Sequence, residues 1–296
     1  MTKELKQNSK GNYFGWDIQK KDLFLGDGRK LQSHYALKRS DSDLILHTHK
    51  NSYKEFSNTE LSKLAKFVSQ HSGMEVTSTS EFQDGKTVFA FLKNEKLEKI
   101  GEHKIQDYLV IGNGHNGRHS LFIGTSTELL RCMNQFGMIQ KNLNIRHSKN
   151  MELKIDDYKV MVANYFSDQA DLYKTFRLFR DVKIDNKVKE NLTQHLFNTQ
   201  LHKTGIDFQD VRNTFGDDKA KKNLKGISTR KLNQLDDFYN SINKETNELG
   251  NTAWGFFNGV THYTTHVDKS SVDNLGMIGK GAWLNQKAFN VLKELV

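Results

Sequence analysis

The 296-residue chain contains no proline and one cysteine, Cys132. A single cysteine excludes an intramolecular disulfide and points to a reducing interior. Without proline, turns and helix stops must rest on Gly, Asn, Asp and Ser. No apolar run approaches the ~20 residues that a membrane span needs. The first residues, MTKELKQNSKGN, are charged and lack the apolar stretch of a signal peptide. The expectation is therefore a cytoplasmic protein with no membrane partner. The chain also lacks a P-loop, a GxGxxG fingerprint, a GxSxG elbow and a CxxC pair, which removes the strongest signatures of nucleotide, hydrolase and thiol chemistry. No repeat or sustained heptad is present.

Apolar residues make up 36% and charged residues 27%. That is enough to bury a core and too balanced for disorder. Against 35 acidic residues stand 44 basic ones, a net charge of +9. Such an excess favours anionic partners, nucleic acid first, although lysine-rich surfaces also occur without one.

The first half reads as strands. Residues 34–39 and 44–47 flank the turn Ser40-Asp41-Ser42-Asp43. Residues 58–71 read as a helix with Asn58 as N-cap and Leu61, Leu64, Phe67 and Val68 on one face. Strands 74–82 and 86–93 are joined by Gln83-Asp84-Gly85, a hairpin signal. Strands 104–112 and 119–125 bracket a polar loop. A short helix over 126–138, capped by Ser126 and stopped by Gly137, and an extended segment over 141–148 follow. The second half reads as helices at 151–181, 184–203, 217–232, 231–249, 252–267 and 282–295. The fold class expected is α+β: a β-rich domain over 1–150 carrying loop 113–120, then a helical region over 151–296 packing back on it.

Three stretches carry candidate chemistry. The loop NGHNGRHS, 113–120, has two glycines and two asparagines, which a tight turn needs. A turn alone does not call for His115, Arg118, His119 and Ser120. The Arg118 fork suits phosphate, and a glycine-rich turn presents backbone N–H groups to an anion. In KNLNIRHSKN, 141–150, the basic residues Lys141, Arg146 and Lys149 with His147 would track a phosphate backbone, or simply solvate an edge strand. In NTAWGFFNGVTHYTTH, 251–266, Trp254 and Phe257 fall on an apolar side, while Asn258, His262 and His266 form an i, i+4, i+8 row. Two histidines at that spacing can grip a metal, but no matching carboxylate accompanies them, so no metal and no cofactor is expected. Gly255 and Gly259 beside Asn258 imply close approach of another backbone or a ligand. Cys132 sits in an apolar run and reads as a buried thiol rather than a nucleophile.

The order of segments resembles one family. HYALKRSDSDLILHTHKNSYKEFSNTEL, GKTVFAFL, DYLVIGNGHNGRHSLFIGTST, LLRCMNQ, IRHS and GNTAWGFFNGVTHYTTH follow one another over roughly residues 12–290, as in the phage and plasmid proteins catalogued as domain of unknown function 932. The shared positions are Asn113, His115, Gly117, Cys132, Asn134, Arg146, His147, Trp254 and Asn258. Where that family commonly carries Ser and Asp in the loop, this chain has Gly114 and Asn116, which puts an acid-dependent reaction in doubt. The resemblance implies a mobile-element protein acting near replication or recombination. At the level of architecture, the hairpin-rich sheet with a helix across it is similar to Rad52-type single-strand annealing proteins.

These readings lead to a single-stranded nucleic-acid-binding protein that acts by strand annealing as a homo-oligomer. Arg118, Arg131, Arg146 and Lys149 would pair phosphates, Asn113, His115, His119 and His147 would add hydrogen bonds, and Tyr53 or Phe122 would stack bases. A possible pocket comprises Asn134, Trp254, Asn258 and His262. One alternative is an enzyme using a His/Asn/Arg pocket on a phosphate-containing substrate. Another is a structural or host-takeover interaction protein.

Overall fold

A computed structural model describes residues 11–131, 133–139, 144–151, 154–155, 169–197, 206–268 and 278–296. The class is α+β. Strands β1 (Ile18–Phe24), β2 (Lys30–Arg39) and β3 (Ile45–Lys50) form an antiparallel sheet in that order. Helix α1 (Asn58–Ser72) follows. Strands β4 (Glu75–Phe82), β5 (Thr87–Ile100), β6 (His103–Gly114), β7 (Phe122–Leu129) and β8 (Asn134–Ile139) form a second sheet in sequence order. The helices are α2 (Gln169–Asp181), α3 (Asn186–Phe197), α4 (Phe208–Arg212), α5 (Asp218–Asn223), α6 (Thr229–Leu249), α7 (Ala253–His262) with a π-helical turn Tyr263–Val267, and α8 (Gly279–Lys293).

Contacts divide the chain into two compact units. The first holds Met1–Glu98, Ile105–Thr127 and Met138–Gln169; the second holds Lys99–Lys104, Glu128–Gly137 and Ala170–Val296.

In the first unit, α1 begins where two side chains satisfy its orphan N–H groups. The cap is Ser57, not Asn58: its hydroxyl accepts the Glu60 N–H, and the Glu60 carboxylate accepts the Ser57 N–H. This capping box frees Asn58 to turn inward. Gly73, at φ 71°, ends the helix in the left-handed region. Leu61, Leu64, Ala65 and Val68 lie in one core with Val88, Ala90 and Leu92 of β5 and Leu109 and Ile111 of β6, the two periodicities of 3.6 and 2 meeting. The β4–β5 turn places Gln83, Asp84 and Gly85 all at positive φ, as the Asp-Gly signal requires.

In the second unit, a ring cluster of Phe136, Phe176, Phe179, Trp254, Phe257 and Phe289 has centroids 5.0–6.4 Å apart. Helix α7 is buried along its whole length. It approaches α6 closely because Gly259 faces it: a Cβ there would lie 2.5 Å from the Ile242 Cα. Gly255 likewise meets the Gly250 carbonyl and Thr246. The two glycines thus answer to backbone approach, one of the two readings of that stretch.

Several elements differ from the sequence reading. The stretch 126–138 is not a helix. Strand β7 continues through Leu129 and β8 resumes at Asn134, with Met133 at positive φ between them. Sheet pairing overrides the helical pattern there, and Thr125, Ser126, Thr127 and Glu128 are buried in the strand. Strand β1 was not anticipated, because IQKKDLF is exposed along most of its length and shows no alternation. The stretch 217–232 breaks: Asp217 caps α5, Gly226 turns at φ 96°, and Ser228 caps α6. Of the extended segment expected over 141–148, the described residues contribute one bridge, Ile145 with Leu121. Cys132, Lys141 and the span 156–168 of the expected helix 151–181 lie outside the described residues.

Candidate functional site

Three segments of the first unit meet around one tyrosine. After β3, the Tyr53 N–H closes a turn on the Lys50 carbonyl. The Tyr53 ring then lies between two imidazoles, stacked 3.7 Å from His49 and 4.7 Å from His147. Its hydroxyl donates to the Gly114 carbonyl at 2.9 Å. The end of β6 and the loop after it supply the rest. The His49 Nε2–H donates to the His115 carbonyl at 2.8 Å, and the His147 Nδ1–H donates to the Lys54 carbonyl at 2.9 Å. Gly117, at φ +72°, passes beside His49; a Cβ would sit 3.6 Å from its Cε1.

Next to this stack is a buried polar layer. His115 is fully buried. Asn58 donates its amide to the Trp16 carbonyl, so its Oδ1 accepts from the His115 Nε2–H at 2.9 Å. That leaves His115 Nδ1 as an acceptor without a partner among the described residues, while the imidazole packs against Trp16 with centroids 5.9 Å apart and planes at 65°. Asn113, also fully buried, donates to the Phe56 carbonyl at 2.8 Å, 57 residues away in sequence. Three buried acceptors here have no hydrogen-bond partner among the described residues: Asn113 Oδ1, His115 Nδ1 and His147 Nε2.

Burial is the main force on these imidazoles. It pushes His115 down to about 3 and His147 down to about 4, with the neighbouring imidazoles adding to it; the hydrogen bond from His147 to Lys54 opposes the second shift. His49 is lowered for the same reason. Tyr53 is raised by burial, then by Tyr35 and Glu55. All three histidines are therefore neutral near pH 7. A base that weak removes protons poorly, whereas a neutral imidazole with one fixed N–H is a good hydrogen-bonding group.

Four exposed cations adjoin the residues of this stack in sequence. Lys50 adjoins His49, Arg118 follows Gly117, and Arg146 and Lys149 flank His147. All four are exposed, and none pairs with a carboxylate among the described residues. Some other cations of this unit are ion-paired: Lys20 with Glu55 at 2.9 Å, Lys30 with Asp22 at 2.7 Å, and Arg39 with Asp41 and Glu81 at 2.8 and 2.9 Å.

Six of the residues expected to pair phosphates or add hydrogen bonds, Asn113, His115, Arg118, Arg146, His147 and Lys149, belong to or adjoin this place. His119 is half-buried, 6.4 Å from the Phe122 ring, and is lowered by burial and then by Arg118. Phe122 is not available for stacking: it is buried, its ring pressed on Gly112, where a Cβ would lie 2.1 Å away. Only Gly117 of the loop glycines uses positive φ, and Asn116 makes the local turn bond, accepting the Arg118 N–H at 3.0 Å. Arg131 belongs to the second unit and is ion-paired with Glu248. Trp16 was not singled out, Asn58 was expected only as the helix cap, and His49 was noted only among the histidines of a conceivable metal site. The spacing His47-x-His49 held the one signal, since alternate residues of a strand share a face.

Asn134, Trp254, Asn258 and His262 form a separate cluster in the second unit. Asn134 donates to the Asn258 carbonyl at 3.2 Å, and Asn258 to the Trp254 carbonyl at 2.9 Å. The Lys244 ammonium donates to His262 Nε2 at 2.8 Å, and burial with Lys244 pushes His262 down to about 4. Glu245, buried, is raised by that burial, against the pull of a hydrogen bond from Asn134. Among the described residues no group of three or more His, Cys, Asp or Glu is placed to hold a metal, and no helix is long and apolar enough to cross a membrane.

Fold and site define an α+β protein whose β-rich unit carries a neutral histidine–tyrosine stack adjoined in sequence by exposed cations. The chain belongs to the family described as Domain of unknown function (DUF932), whose model matches residues 45–280. That span is narrower at both ends than the likeness of segment order. No curated protein and no solved structure matches the chain.

Proposed function

We propose that the rim around Tyr53 binds single-stranded nucleic acid, and that the protein serves a phage or plasmid in recombination or replication by strand annealing in the host cytoplasm. The observation that carries this reading is the pairing of four exposed, uncompensated cations with a stack of neutral rings. Arg118, Arg146, Lys50 and Lys149 supply the charge that a phosphate backbone needs. His49, Tyr53 and His147 already form a ring column that a base extends, and base stacking is worth about 1–3 kcal/mol per base. Neutral imidazoles do not compete with the lysines and arginines for phosphate. The three-stranded sheet running into α1 is in keeping with the likeness to annealing proteins, a likeness of architecture that does not by itself fix function.

The test is fluorescence anisotropy of a labelled single-stranded oligonucleotide over a salt series, with duplex as competitor. Binding that prefers single strands and weakens steeply with salt is expected. Each of Arg118→Ala and Arg146→Ala should reduce the slope of log K against log salt by about 0.7. Absence of binding at low salt would overturn the proposal.

A further inference from the structure

A cleft lined by residues of the second unit combines the same two chemistries. Its walls include Phe197 at the end of α3, Lys231 of α6, Tyr263 and Asp268 around the π-helical turn, and Lys280 and Trp283 of α8. The volume is about 60 Å³, roughly that of two liquid waters. A phosphate head is small enough for such a space. Trp283 stands at its mouth, 57% exposed, with the Lys287 ammonium 5.3 Å from the ring centroid. The Lys231 ammonium lies 4.6 Å over the Phe197 ring. Burial lowers Lys231, and the nearby Lys280 lowers it further, so an anion between them would relieve both costs. The lining carries two lysines and the carboxylate of Asp268, and the Asp237 carboxylate of α6 also acts on Tyr263. The first N–H groups of α8 add to the pull of the lysines, since no side chain caps that helix.

We infer that this cleft is a nucleotide seat: a phosphate held between Lys231 and Lys280, with its base lying outside on the exposed face of Trp283. The ligand is either a free nucleotide or one nucleotide of a bound strand. The site does not rest on the reading of the Tyr53 rim, because it stands in the other unit on other residues.

Trp16 and Trp254 are 5% and 3% exposed, so Trp283 is the tryptophan that solvent and ligands reach. The experiment is a titration of tryptophan emission in the full chain with thymidine 5′-monophosphate, oligothymidylate, thymidine and inorganic phosphate. Saturable quenching by the monophosphate or the oligonucleotide, but not by thymidine, is expected, with inorganic phosphate competing. Quenching by the oligonucleotide alone assigns the seat to a strand; quenching by both assigns it to the nucleotide unit itself. Lys280→Ala, a change at an exposed position, should weaken binding about tenfold, and Lys231→Met should do so again. Trp283→Phe should abolish the signal. The Arg118→Ala/Arg146→Ala variant should keep the quenching by monophosphate, so loss of the rim and loss of the cleft are read separately. No quenching by either phosphate-bearing ligand, equal quenching by thymidine, or full affinity in Lys280→Ala would overturn the inference.

Discussion

The neutral state of His115 makes a quantitative demand on stability. Unfolded, its imidazole titrates near 6.5; folded, burial holds it to about 3. Below pH 6.5 the unfolded chain takes up a proton that the folded chain refuses. The folded state is thus favoured in full above 6.5 and loses stability as pH falls, down to about 3. Each pH unit in that window is worth about 1.4 kcal/mol, so from pH 6.5 to 5.0 this one group removes about 2 kcal/mol. His147 and His262 push in the same direction, which is why a substitution is needed to isolate His115. In His115→Gln the amide can still donate to Asn58 but cannot be protonated. At pH 7.5 the variant should be less stable by about 1–2 kcal/mol, from lost packing on Trp16. By pH 5.0 that deficit should have closed or reversed, because the variant escapes the protonation cost. Urea unfolding of both proteins at the two pH values measures this. Parallel loss of stability in the two proteins would refute the reasoning and mean that His115 is hydrated or charged.

Gly259→Ala tests the approach of α7 to α6. Helix propensity alone favours Ala by about 1 kcal/mol, but a Cβ 2.5 Å from the Ile242 Cα forces the backbones apart, an overpacking cost of about 1–3 kcal/mol. Thermal unfolding should show a lower Tm; a higher one would mean the helices separate freely. Asp236→Asn tests the buried ion pair of the second unit. Asp236 accepts from Lys221 at 2.7 Å, from the Gly216 N–H at 2.7 Å and from Asn240 at 2.9 Å, and both charged side chains are buried. Leaving the buried Lys221 with only the exposed Asp218 carboxylate at 3.9 Å should cost about 3 kcal/mol in denaturant unfolding.

Much of the architecture was legible because local chemistry and tertiary demand agree. The periodicity of residues 58–71 and the Asp-Gly turn at 84–85 each have one physical solution, and the structure adopts it. The α+β class and the helical second half follow from the same periods. Loop 113–120 was legible as more than a turn, since its donors exceed what a turn consumes. Other features were not local at all. Ser126–Leu129 has the residues of a helix start, yet its neighbours in the sheet hold it extended, and pairing energy summed over a strand exceeds a weak propensity. Phe122 looked available for stacking because nothing in sequence reveals that Gly112 makes room for its ring. Arg131 and Arg146 looked alike as basic residues, but one is neutralised by Glu248, 117 positions later, and the other is not.

The residue types at the candidate site were thus set by sequence: histidines, a tyrosine, asparagines and an excess of cations. Their roles were decided by tertiary structure alone. Desolvation is a property of the folded interior, so only burial turns His115 and His147 from physiological titrators into neutral hydrogen-bonding groups. Only the meeting of residues 49–58, 113–118 and 145–149 places Tyr53 between two imidazoles.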